Sequence, residues 1–210
     1  MAREEFFQRL AAECQTPFVF LAHHLEDNAE TIIGNLFRGA GSGGVSGMKT
    51  ATVTNAGWVK LRPLLTVHRA EIDGYVRVRK LSFREDSSNA SPGHRRNRLR
   101  HEVMPLLDAV FLRDTASLVV RHGALAGRDD DCLNAVALEF MRAERLLQED
   151  GSLRIIAAMN STHPAIMSRV LKHWLTRELK TPGIGHREIE AALHTLAHIR
   201  DPQHGHDHGS

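Results

Sequence analysis

Residues 18–48 read FVFLAHHLEDNAETIIGNLFRGAGSGGVSGM, and this stretch decides the fold. Its first five residues, Phe18 to Ala22, form a continuous apolar run directly after Pro17. Such a run is typical of a short strand that is buried on both faces of a parallel sheet. The pattern therefore predicts a buried strand that ends at His23.

The spacing of the apolar residues changes after this strand. Asp27 and Glu30 have the spacing of a capping box, which favours a helix that begins near Asn28. The apolar residues that recur on one face of this helix are Ala29, Ile32, Ile33 and Leu36. The glycines that follow Arg38 predict a loop that can adopt positive φ angles and approach a ligand closely. They are Gly39, Gly41, Gly43, Gly44 and Gly47.

The junction between the predicted strand and helix is a candidate ligand site. His23, His24 and Asp27 lie at the carboxyl end of a strand and the N-terminus of a helix, where open α/β sheets bind their ligands. Arg38 lies at the far end of the same helix and can reach this crevice only if the following loop folds over it. We therefore interpret Arg38 as a candidate phosphate ligand.

Composition limits the kinds of partner. The chain has 210 residues, enough for one large or two small domains, and 42% of them are hydrophobic, which allows a core. Lys and Arg number 27 against 25 Asp and Glu, so the formal charge of +2 argues against binding of a polyanion over the whole surface. Any nucleic-acid contact must therefore be local.

The cysteines and the apolar runs indicate the compartment. Cys14 and Cys132 are too few and too far apart in sequence for a disulfide framework or a Cys-x-x-Cys metal site. No apolar run approaches the length of a membrane span, and the N-terminus lacks a secretory apolar core. We therefore expect a cytoplasmic protein that does not contact a membrane.

The chain divides into an α/β part and a helical part. Trp58–Leu61 predicts a further strand and His68–Lys80 a further helix, whereas the apolar segments from Pro105 onward all have helical spacing. The fold class is therefore α/β, with a parallel sheet in residues 1–104 and a small all-α domain in residues 105–200.

The last ten residues, 201–210, are rich in histidine and small residues. They predict a disordered tail, and a weak metal site is the alternative. This segment therefore belongs to neither predicted domain.

Two blocks of the sequence resemble one known family. Ala22 to Met48 is similar to the second signature of the bacterial tRNA(Ile)-lysidine synthetases, A-H-H-x-x-D-(Q or N)-x-E-T and then R-G-(S, A or T)-G-x-x-G-(L or V)-x-G-M. Val59 to Leu107 is similar to their R-P-L-L, R-x-E-I, D-x-(S or T)-N, R-N-x-(I or L)-R and P-L-L sequence, and residues 152–175 resemble their substrate-binding helical region. The resemblance implies an ATP pyrophosphatase with a partial Rossmann-like (PP-loop/HUP) sheet domain and a helical substrate-binding domain.

The resemblance also implies a reaction. The wobble cytidine of an isoleucine tRNA is adenylated at its ring carbonyl, and free lysine then displaces AMP to give lysidine. ATP and Mg²⁺ are the implied cofactors, and tRNA(Ile) and free lysine are the implied partners. The matching positions imply catalytic roles for His23, Asp27 and Arg38. Residues implied near the nucleotide are His24, Gly39, Gly41 and, less directly, Arg62.

Structural explanations for the same residues stay open. One histidine can be a satisfied side chain at a strand end, and a His-His-x-x-Asp array can also hold a metal. A capping box explains Asp27 and Glu30 without a ligand. A carboxylate next to ATP needs Mg²⁺ between its oxygens and the phosphates. We therefore interpret Asp27 as a metal or base contact and assign no ligand role to Glu30. Arg38 can instead stabilise the C-terminus of its helix.

A basic segment is the predicted place of RNA contact. It contains four arginines and no acidic residue between Ser91 and His101. We expect these arginines to contact an RNA backbone, with a solvated charged face as the alternative. They are Arg95, Arg96, Arg98 and Arg100.

The chain departs from the family at its start. The synthetases open with a strand and S-G-G-x-D-S, whose backbone N–H groups hold the ATP phosphates, and no such segment stands ahead of Met1. Ser42-Gly43-Gly44 follows a helix and lacks the Asp, so we interpret it as part of the glycine-rich loop. We therefore expect little or no ATP turnover by this chain alone. Another chain or segment, or a homodimer, would supply the absent strands.

Three other functions stay open at this point. The chain can be a tRNA-binding remnant without catalysis, or an interaction module without a role on RNA. A tRNA thiolation enzyme of the same superfamily is the third, although those relatives use cysteine pairs that this chain lacks.

Overall fold

The computed structural model describes residues 2–83, 95–178 and 184–200. The chain forms two compact units, with the division after Gly127. The expected tail, 201–210, lies outside the described residues.

The two units contain the predicted helices and strands together with elements that the sequence did not predict. The first unit contains α1 (Ala2–Glu13), β1 (Phe18–Phe20), α2 (Leu25–Leu36), α3 (Ser42–Val45), β2 (Ala51–Val53), β3 (Val59–Leu61), α4 (Arg69–Val78), α5 (Arg95–Arg98), a π-helical turn (Leu99–Val103), α6 (Met104–Phe111) and the first part of α7 (Thr115–Ala143). The second unit contains the rest of α7, a 3₁₀ turn (Ala157–Asn160), α8 (Pro164–Glu178) and α9 (His186–Arg200). None of the helices in the described part of the chain carries an apolar run that could span a lipid bilayer.

The sheet has three short strands in the order β1-β3-β2. β1 pairs in parallel with β3, as predicted, whereas β2 pairs with β3 in antiparallel orientation and forms a hairpin with it. The sequence predicts only a polar stretch with a turn in residues 49–57, so that prediction misses β2. The sheet is therefore mixed, because a short hairpin needs only the turn at Asn55–Gly57 and no crossover helix.

One face of this sheet is apolar and largely exposed. The strand register places two rows on it, Phe18–Val59–Val53 and Phe20–Leu61–Ala51. Phe18, Phe20 and Val53 are 49%, 70% and 71% exposed. The prediction that the first strand is buried on both faces is therefore wrong.

The opposite face of β1 is covered by α1. Val19 is buried there with Ala11 of α1 and with Trp58, and Phe7 and Leu21 pack against this cluster. The amphipathic spacing of α1 thus supplies cover for one side of the sheet only.

Helix α2 organises the first unit. Ala29 is fully buried, and Leu25, Ala29 and Ile33 form a core with Met104 and Ala116. The helix begins at Leu25 and not near Asn28, so its predicted start is one turn late. This packing joins α2 to the segment some seventy residues later that contains the basic cluster.

The second unit has its own core, built between the end of α7 and helices α8 and α9. Leu146, Met159, Val170 and Leu171 are fully or almost fully buried in it. The prediction of a helical second half is confirmed by these elements.

Candidate functional site

Two histidines begin two helices in the same way. The backbone N–H of His24 donates to Oδ2 of Asp27 at 3.1 Å, and the backbone N–H of His68 donates to Oε2 of Glu71 at 2.9 Å. Each pair is a capping box, at the N-terminus of α2 and of α4. The box predicted for Asp27 and Glu30 is thus formed one turn earlier, with Asp27 as its second member.

The Glu26 carboxylate joins these two helix starts. It lies 2.8 Å from Nδ1 of His24 and 3.1 Å from Nδ1 of His68, and it accepts a hydrogen bond from the backbone N–H of Arg69. Burial raises the pKa of Glu26, but hydrogen bonds from its own backbone N–H and from these three residues leave that pKa below its usual range. The hydrogen bond to Glu26 raises the pKa of His68, against the opposing effect of burial.

Two arginines of the basic segment bind two carboxylates of α2. Nε of Arg96 and Nε of Arg100 each donate to Glu30 at 2.7 Å, and their terminal nitrogens donate to Oδ1 of Asp27 at 3.1 and 2.8 Å. The Glu30 side chain is only 2% exposed, whereas Arg96 is 52% and Arg100 31% exposed. This four-residue cluster therefore neutralises a buried carboxylate and fixes the basic segment against α2.

The charges in this cluster act on the Asp27 carboxyl group. Burial raises the pKa of Asp27, but the backbone N–H of His24 and the charges of His24, Arg96 and Arg100 hold that pKa below its usual value. Both Asp27 oxygens accept from these donors. Bound in this way, Asp27 does not fit a divalent metal ion unless an arginine is released. Among the described residues no group of three His, Cys, Asp or Glu side chains is arranged for a metal.

Arg38 lies at the other end of α2 from the two histidines, about 18 Å away along a helix of twelve residues. Its guanidinium donates to the side chain of Asn35 and faces a cavity of about 500 Å³. Neither His23 nor His24 lines this cavity. The lining residues are Glu30, Thr31, Gly34, Phe37, Arg38, Arg95, Arg96, Arg98, Leu99 and Val103.

The geometry thus brings Arg38 together with the basic segment and not with the histidine crevice. The cavity has an apolar wall with a cationic rim, and its volume is within the range of roughly 300–1,000 Å³ of small-molecule sites. An anionic ligand with an apolar part, such as a nucleotide or an RNA segment, fits this lining.

The glycine-rich loop packs against α2. Asn28 Oδ1 accepts a hydrogen bond from the backbone N–H of Met48 at 2.7 Å, and Asn35 Nδ2 donates to the carbonyl of Gly44 at 2.6 Å. Gly47 has φ +79°, and a Cβ atom there would lie 2.5 Å from Asn28 Oδ1. Two asparagines of α2 therefore hold the loop in place.

The space beside the two glycines that are predicted near the nucleotide is open. Gly39 has φ +76°, and at neither Gly39 nor Gly41 would an added Cβ atom meet a described atom within 4 Å. Gly41 precedes α3, and its carbonyl accepts hydrogen bonds from the N–H groups of Gly44 and Val45. The predicted roles of Gly39 and Gly41 toward a nucleotide stay predictions.

Arg62 lies on the hairpin side of the sheet. Its Nη1 donates to the carbonyl of Lys49 at 2.8 Å and to the Thr52 hydroxyl at 3.1 Å, so it ties β2 to the end of β3. Burial lowers the pKa of Arg62, and the charge of Glu4 partly offsets this. These contacts give Arg62 a structural role, and its predicted contact with a nucleotide stays a prediction.

The other arginines of the basic segment lie at the surface. Arg98 forms an i,i+4 ion pair with Glu102, and both side chains are more than half exposed. Arg95 and Arg98 line the cavity beside Arg38. The predicted RNA contact of the four arginines stays a prediction, to which the structure adds carboxylate partners for Arg96, Arg98 and Arg100.

Glu26 and His68 were not identified from the sequence. A signal for His68 was present, because His68 and Glu71 have the spacing of His24 and Asp27, and each pair precedes an amphipathic helix. Glu26 carried no such signal, since its partners in α4 lie more than forty residues away.

The chain is similar to known proteins in sequence. The PP-loop domain family matches residues 1–107. A tRNA(Ile)-lysidine synthase of Geobacter sulfurreducens is 39% identical over 150 residues, which cover 71% of this chain and 31% of that protein. One of Dehalococcoides mccartyi is 34% identical over 196 residues, which cover 90% of this chain and 40% of that protein. One of Porphyromonas gingivalis is 46% identical over 105 residues, which cover 50% of this chain and 22% of that protein. The matches therefore span less than half the length of these relatives.

Proposed function

We infer that this chain acts in the modification of transfer RNA, because it belongs to the PP-loop domain family, in the group of the tRNA(Ile)-lysidine synthetases. Within that group we propose ATP-dependent ligation of lysine to the wobble cytidine of tRNA(Ile). ATP first adenylates the ring carbonyl and releases pyrophosphate. The amine of free lysine then attacks the same ring carbon and releases AMP. The match to residues 1–107 supports the ATPase-like domain proposed for residues 1–104, and the helical substrate domain in residues 105–200 is our proposal.

The observation that carries this proposal is the cavity between α2 and the basic segment. Its cationic rim combines Arg38 with Arg95 and Arg98, which come from the two sequence blocks that resemble the synthetases. Guanidinium groups bind phosphate oxygens through paired hydrogen bonds. We propose that these arginines bind phosphate of ATP or of the tRNA. When present, Mg²⁺ would offset phosphate charge, with Asp27 as a ligand only after release from its arginines.

The test uses tRNA(Ile) with cytidine at the wobble position and the same transcript with uridine there. The full chain is incubated with ATP, Mg²⁺ and isotopically labelled lysine, alone and together with the part of a longer relative that lies outside the matched region, and label in the RNA is measured. The proposal expects label in the cytidine transcript only and only when that part is supplied, and it expects loss of label in Arg38→Gln. The proposal is contradicted if both transcripts are labelled equally, or if neither is labelled in any mixture while both are bound with equal affinity.

A second candidate is tRNA binding without catalysis. The observation that favours it is the engagement of Asp27 and Glu30 by Arg96 and Arg100, because it leaves no described carboxylate free beside Arg38 to act as a base. This candidate expects selective retention of tRNA(Ile) in a gel-shift assay together with no incorporation of lysine. Incorporation of lysine would exclude it.

We further propose that a polypeptide segment covers the apolar face of the sheet and extends β1. The described face of three strands, with three residues in each, has an area of only about 140 Å² from standard strand spacings. A stable dimer buries about 800 Å² of accessible surface on each partner, so a homodimer would have to bury further surface beyond this face. An added strand and amphipathic helix fit the open edge and the face, as in α/β proteins with both faces covered. The longer relatives carry further chain beyond the matched region.

This surface is tested with Phe20→Lys in the full chain. If an additional segment packs there, the variant loses binding of that segment, offered as the corresponding region of a longer relative, while its circular dichroism stays unchanged. A wild-type chain that forms dimers through this face, detected by ultracentrifugation and abolished in Phe20→Lys, would overturn the choice of occupant.

A further inference from the structure

The side chain of Asn35 connects the glycine-rich loop to Arg38. Its Nδ2 donates to the carbonyl of Gly44 at 2.6 Å, and its Oδ1 accepts a hydrogen bond from Nη2 of Arg38. A carbonyl can only accept and a guanidinium can only donate, so a single orientation of the amide satisfies both partners. The loop therefore determines that the oxygen of Asn35 faces the guanidinium.

The backbone at the end of α2 holds the same residues. The carbonyl of Asn35 accepts from the N–H of Arg38 at 3.0 Å and from the N–H of Ala40 at 3.1 Å. The N–H of Gly39, which has φ +76°, donates to the carbonyl of Leu36 at 2.9 Å. The bonds from Ala40 and Gly39 form a Schellman motif. Asn35 therefore holds both the backbone and the side chain of Arg38.

Helix α7 holds the loop from its other side. Gly123 and Gly127 are four residues apart on one face of this helix, and both belong to the first unit. A Cβ atom at Gly123 would lie 2.9 Å from the carbonyl oxygen of Val45, and one at Gly127 would lie 3.1 Å from Cβ of Ser46. The residues directly after Gly44 thus pack against the backbone of α7, and this contact sets the position of the Gly44 carbonyl.

The guanidinium of Arg38 lies over a glycine of its own helix. Gly34 precedes Arg38 by four residues, and a Cβ atom there would lie 3.7 Å from Nη1 and 4.0 Å from Nη2. Glycine destabilises the middle of a helix relative to alanine, but here it leaves space beside the guanidinium. Gly34 lines the same cavity as Arg38. The guanidinium is thus directed back along α2 toward the cavity and not beyond the helix end.

A guanidinium that is held in place binds phosphate more tightly than a mobile one. Arginine has a long side chain with many rotamers, and ordering it on binding reduces affinity. Asn35 engages one terminal nitrogen, and a guanidinium has further N–H groups that suit phosphate oxygens. Because the amide is neutral, the positive charge of Arg38 is retained.

We propose that Asn35 is a positioning residue for phosphate binding. With its amide oriented by the Gly44 carbonyl, it holds the Arg38 guanidinium at the rim of the cavity between α2 and the basic segment. The inference rests on the proposed function in taking Arg38 as a phosphate ligand. It deepens that function, because the packing of the loop against α7 becomes a condition for the phosphate contact.

The test compares two asparagines that both hold the loop. Asn35→Ala removes the contacts with Gly44 and Arg38. Asn28→Ala is the matched control, because Asn28 accepts from the N–H of Met48 at 2.7 Å and lies about two helical turns before Asn35. Arg38→Ala and the double variant Asn35→Ala/Arg38→Ala complete a double-mutant cycle. Circular dichroism of each full-length variant checks that it is folded.

Binding is measured by isothermal titration calorimetry with inorganic pyrophosphate and by fluorescence anisotropy with a labelled tRNA(Ile) transcript. We expect Asn35→Ala to weaken binding of at least one probe about fivefold, and Arg38→Ala about tenfold. The double variant should bind no more weakly than Arg38→Ala, because Asn35 acts through Arg38. Asn28→Ala should change each affinity by less than about twofold. An effect on pyrophosphate assigns the phosphate to ATP, whereas an effect on the transcript alone assigns it to RNA.

A second measurement uses the wild-type chain. Nuclear magnetic resonance should show separate signals for the terminal N–H groups of Arg38, because the bond to Asn35 slows rotation of the guanidinium. These signals should merge in Asn35→Ala and stay separate in Asn28→Ala. Merged signals in the wild type would overturn the inference at any affinity.

The outcomes separate this inference from the proposed function. Arg38→Ala can weaken binding while Asn35→Ala has the same effect with and without Arg38, or while Asn28→Ala weakens binding as much as Asn35→Ala. Either result overturns the inference and leaves the phosphate role of Arg38 intact. If Arg38→Ala changes the affinity for neither probe, the phosphate contact in the proposed function is wrong and the inference is overturned with it.

Discussion

The hydrogen bond between Glu26 and His68 makes stability depend on pH. His68 has a raised pKa in the folded chain, so its contribution is fully present below the ordinary histidine pKa of about 6.5 and is lost as pH rises through the higher folded value. We expect the free energy of unfolding to fall as pH rises above about 6.5, measured by urea denaturation at fixed ionic strength. In His68→Gln this part of the fall should be absent. An unchanged pH profile in the variant would contradict the assignment.

Arg145 occupies a backbone conformation that glycine adopts without strain. We expect Arg145→Gly to increase the free energy of unfolding by up to about 1 kcal/mol, because the left-handed conformation costs a residue with Cβ about that much. Lys80→Gly should show a similar gain at the end of α4. Thermal and urea denaturation measure both. A loss of stability in Arg145→Gly would indicate that its side chain supports the fold.

Glu30 is the buried member of the four-residue cluster. Glu30→Gln removes the charge that Arg96 and Arg100 neutralise, and we expect the free energy of unfolding to drop by about 2 kcal/mol. That value lies below the roughly 3–5 kcal/mol for fully buried pairs, because the two arginines remain partly exposed and hydrated. Urea denaturation is the measurement. Glu102→Gln, which affects only an exposed ion pair, is the matched control and should leave the free energy of unfolding almost unchanged.

At the level of secondary structure, the contact between the glycine-rich loop and α2 can be tested by replacing two glycines with alanine and comparing the losses of stability. Gly47 and Gly57 have φ +79° and +85°, but a Cβ atom at Gly47 would meet Asn28 and Ile32 whereas one at Gly57 meets nothing within 4 Å. Gly57→Ala should therefore cost about 1 kcal/mol from backbone strain alone. Gly47→Ala should cost about 2 kcal/mol or more, because the loop must also move away from α2. Equal losses would show that the loop yields without cost.

Local patterns in the sequence were enough to predict the longer helices but not α3, which lies in the predicted glycine-rich loop. The apolar spacing of Ala29, Ile32 and Ile33 indicated the buried face of α2 correctly, since helix periodicity depends on neighbouring residues. The start of α2 was misplaced because both Asp27 and His24 can head a capping box, and only the fold selects between them. β2 was missed because three residues of a hairpin make too short an alternation to recognise.

The candidate site was harder to predict because its pairs are distant in sequence. The basic segment was recognised from its composition, but its pairing with Asp27 and Glu30 depends on how α2 packs against Met104. The position of Arg38 was predicted from the assumption that its loop folds over the histidine crevice. Asn28 and Asn35 hold that loop elsewhere, and no pattern in residues 39–48 indicates this.

For the whole molecule, the near balance of charge determines how RNA can bind. The chain has 27 Lys and Arg residues against 25 Asp and Glu residues, and many of the arginines already have carboxylate partners. Long-range attraction of a polyanion is therefore weak, and affinity must come from a few arginines around cavities. This is why the proposed phosphate contacts involve only a few arginines and why they are expected to depend strongly on salt.

The uncovered sheet face affects how the chain behaves in a cell and in a test tube. Phe18, Phe20 and Val53 form a small exposed apolar patch, and dyes such as anilinonaphthalene sulfonate bind to exposed apolar surface. We expect dye fluorescence to rise on addition to the chain and to fall when a covering segment is supplied or when Phe20 is replaced by lysine. The yield of protein that stays in solution during overproduction should rise with the same two changes, because both reduce the exposed apolar surface.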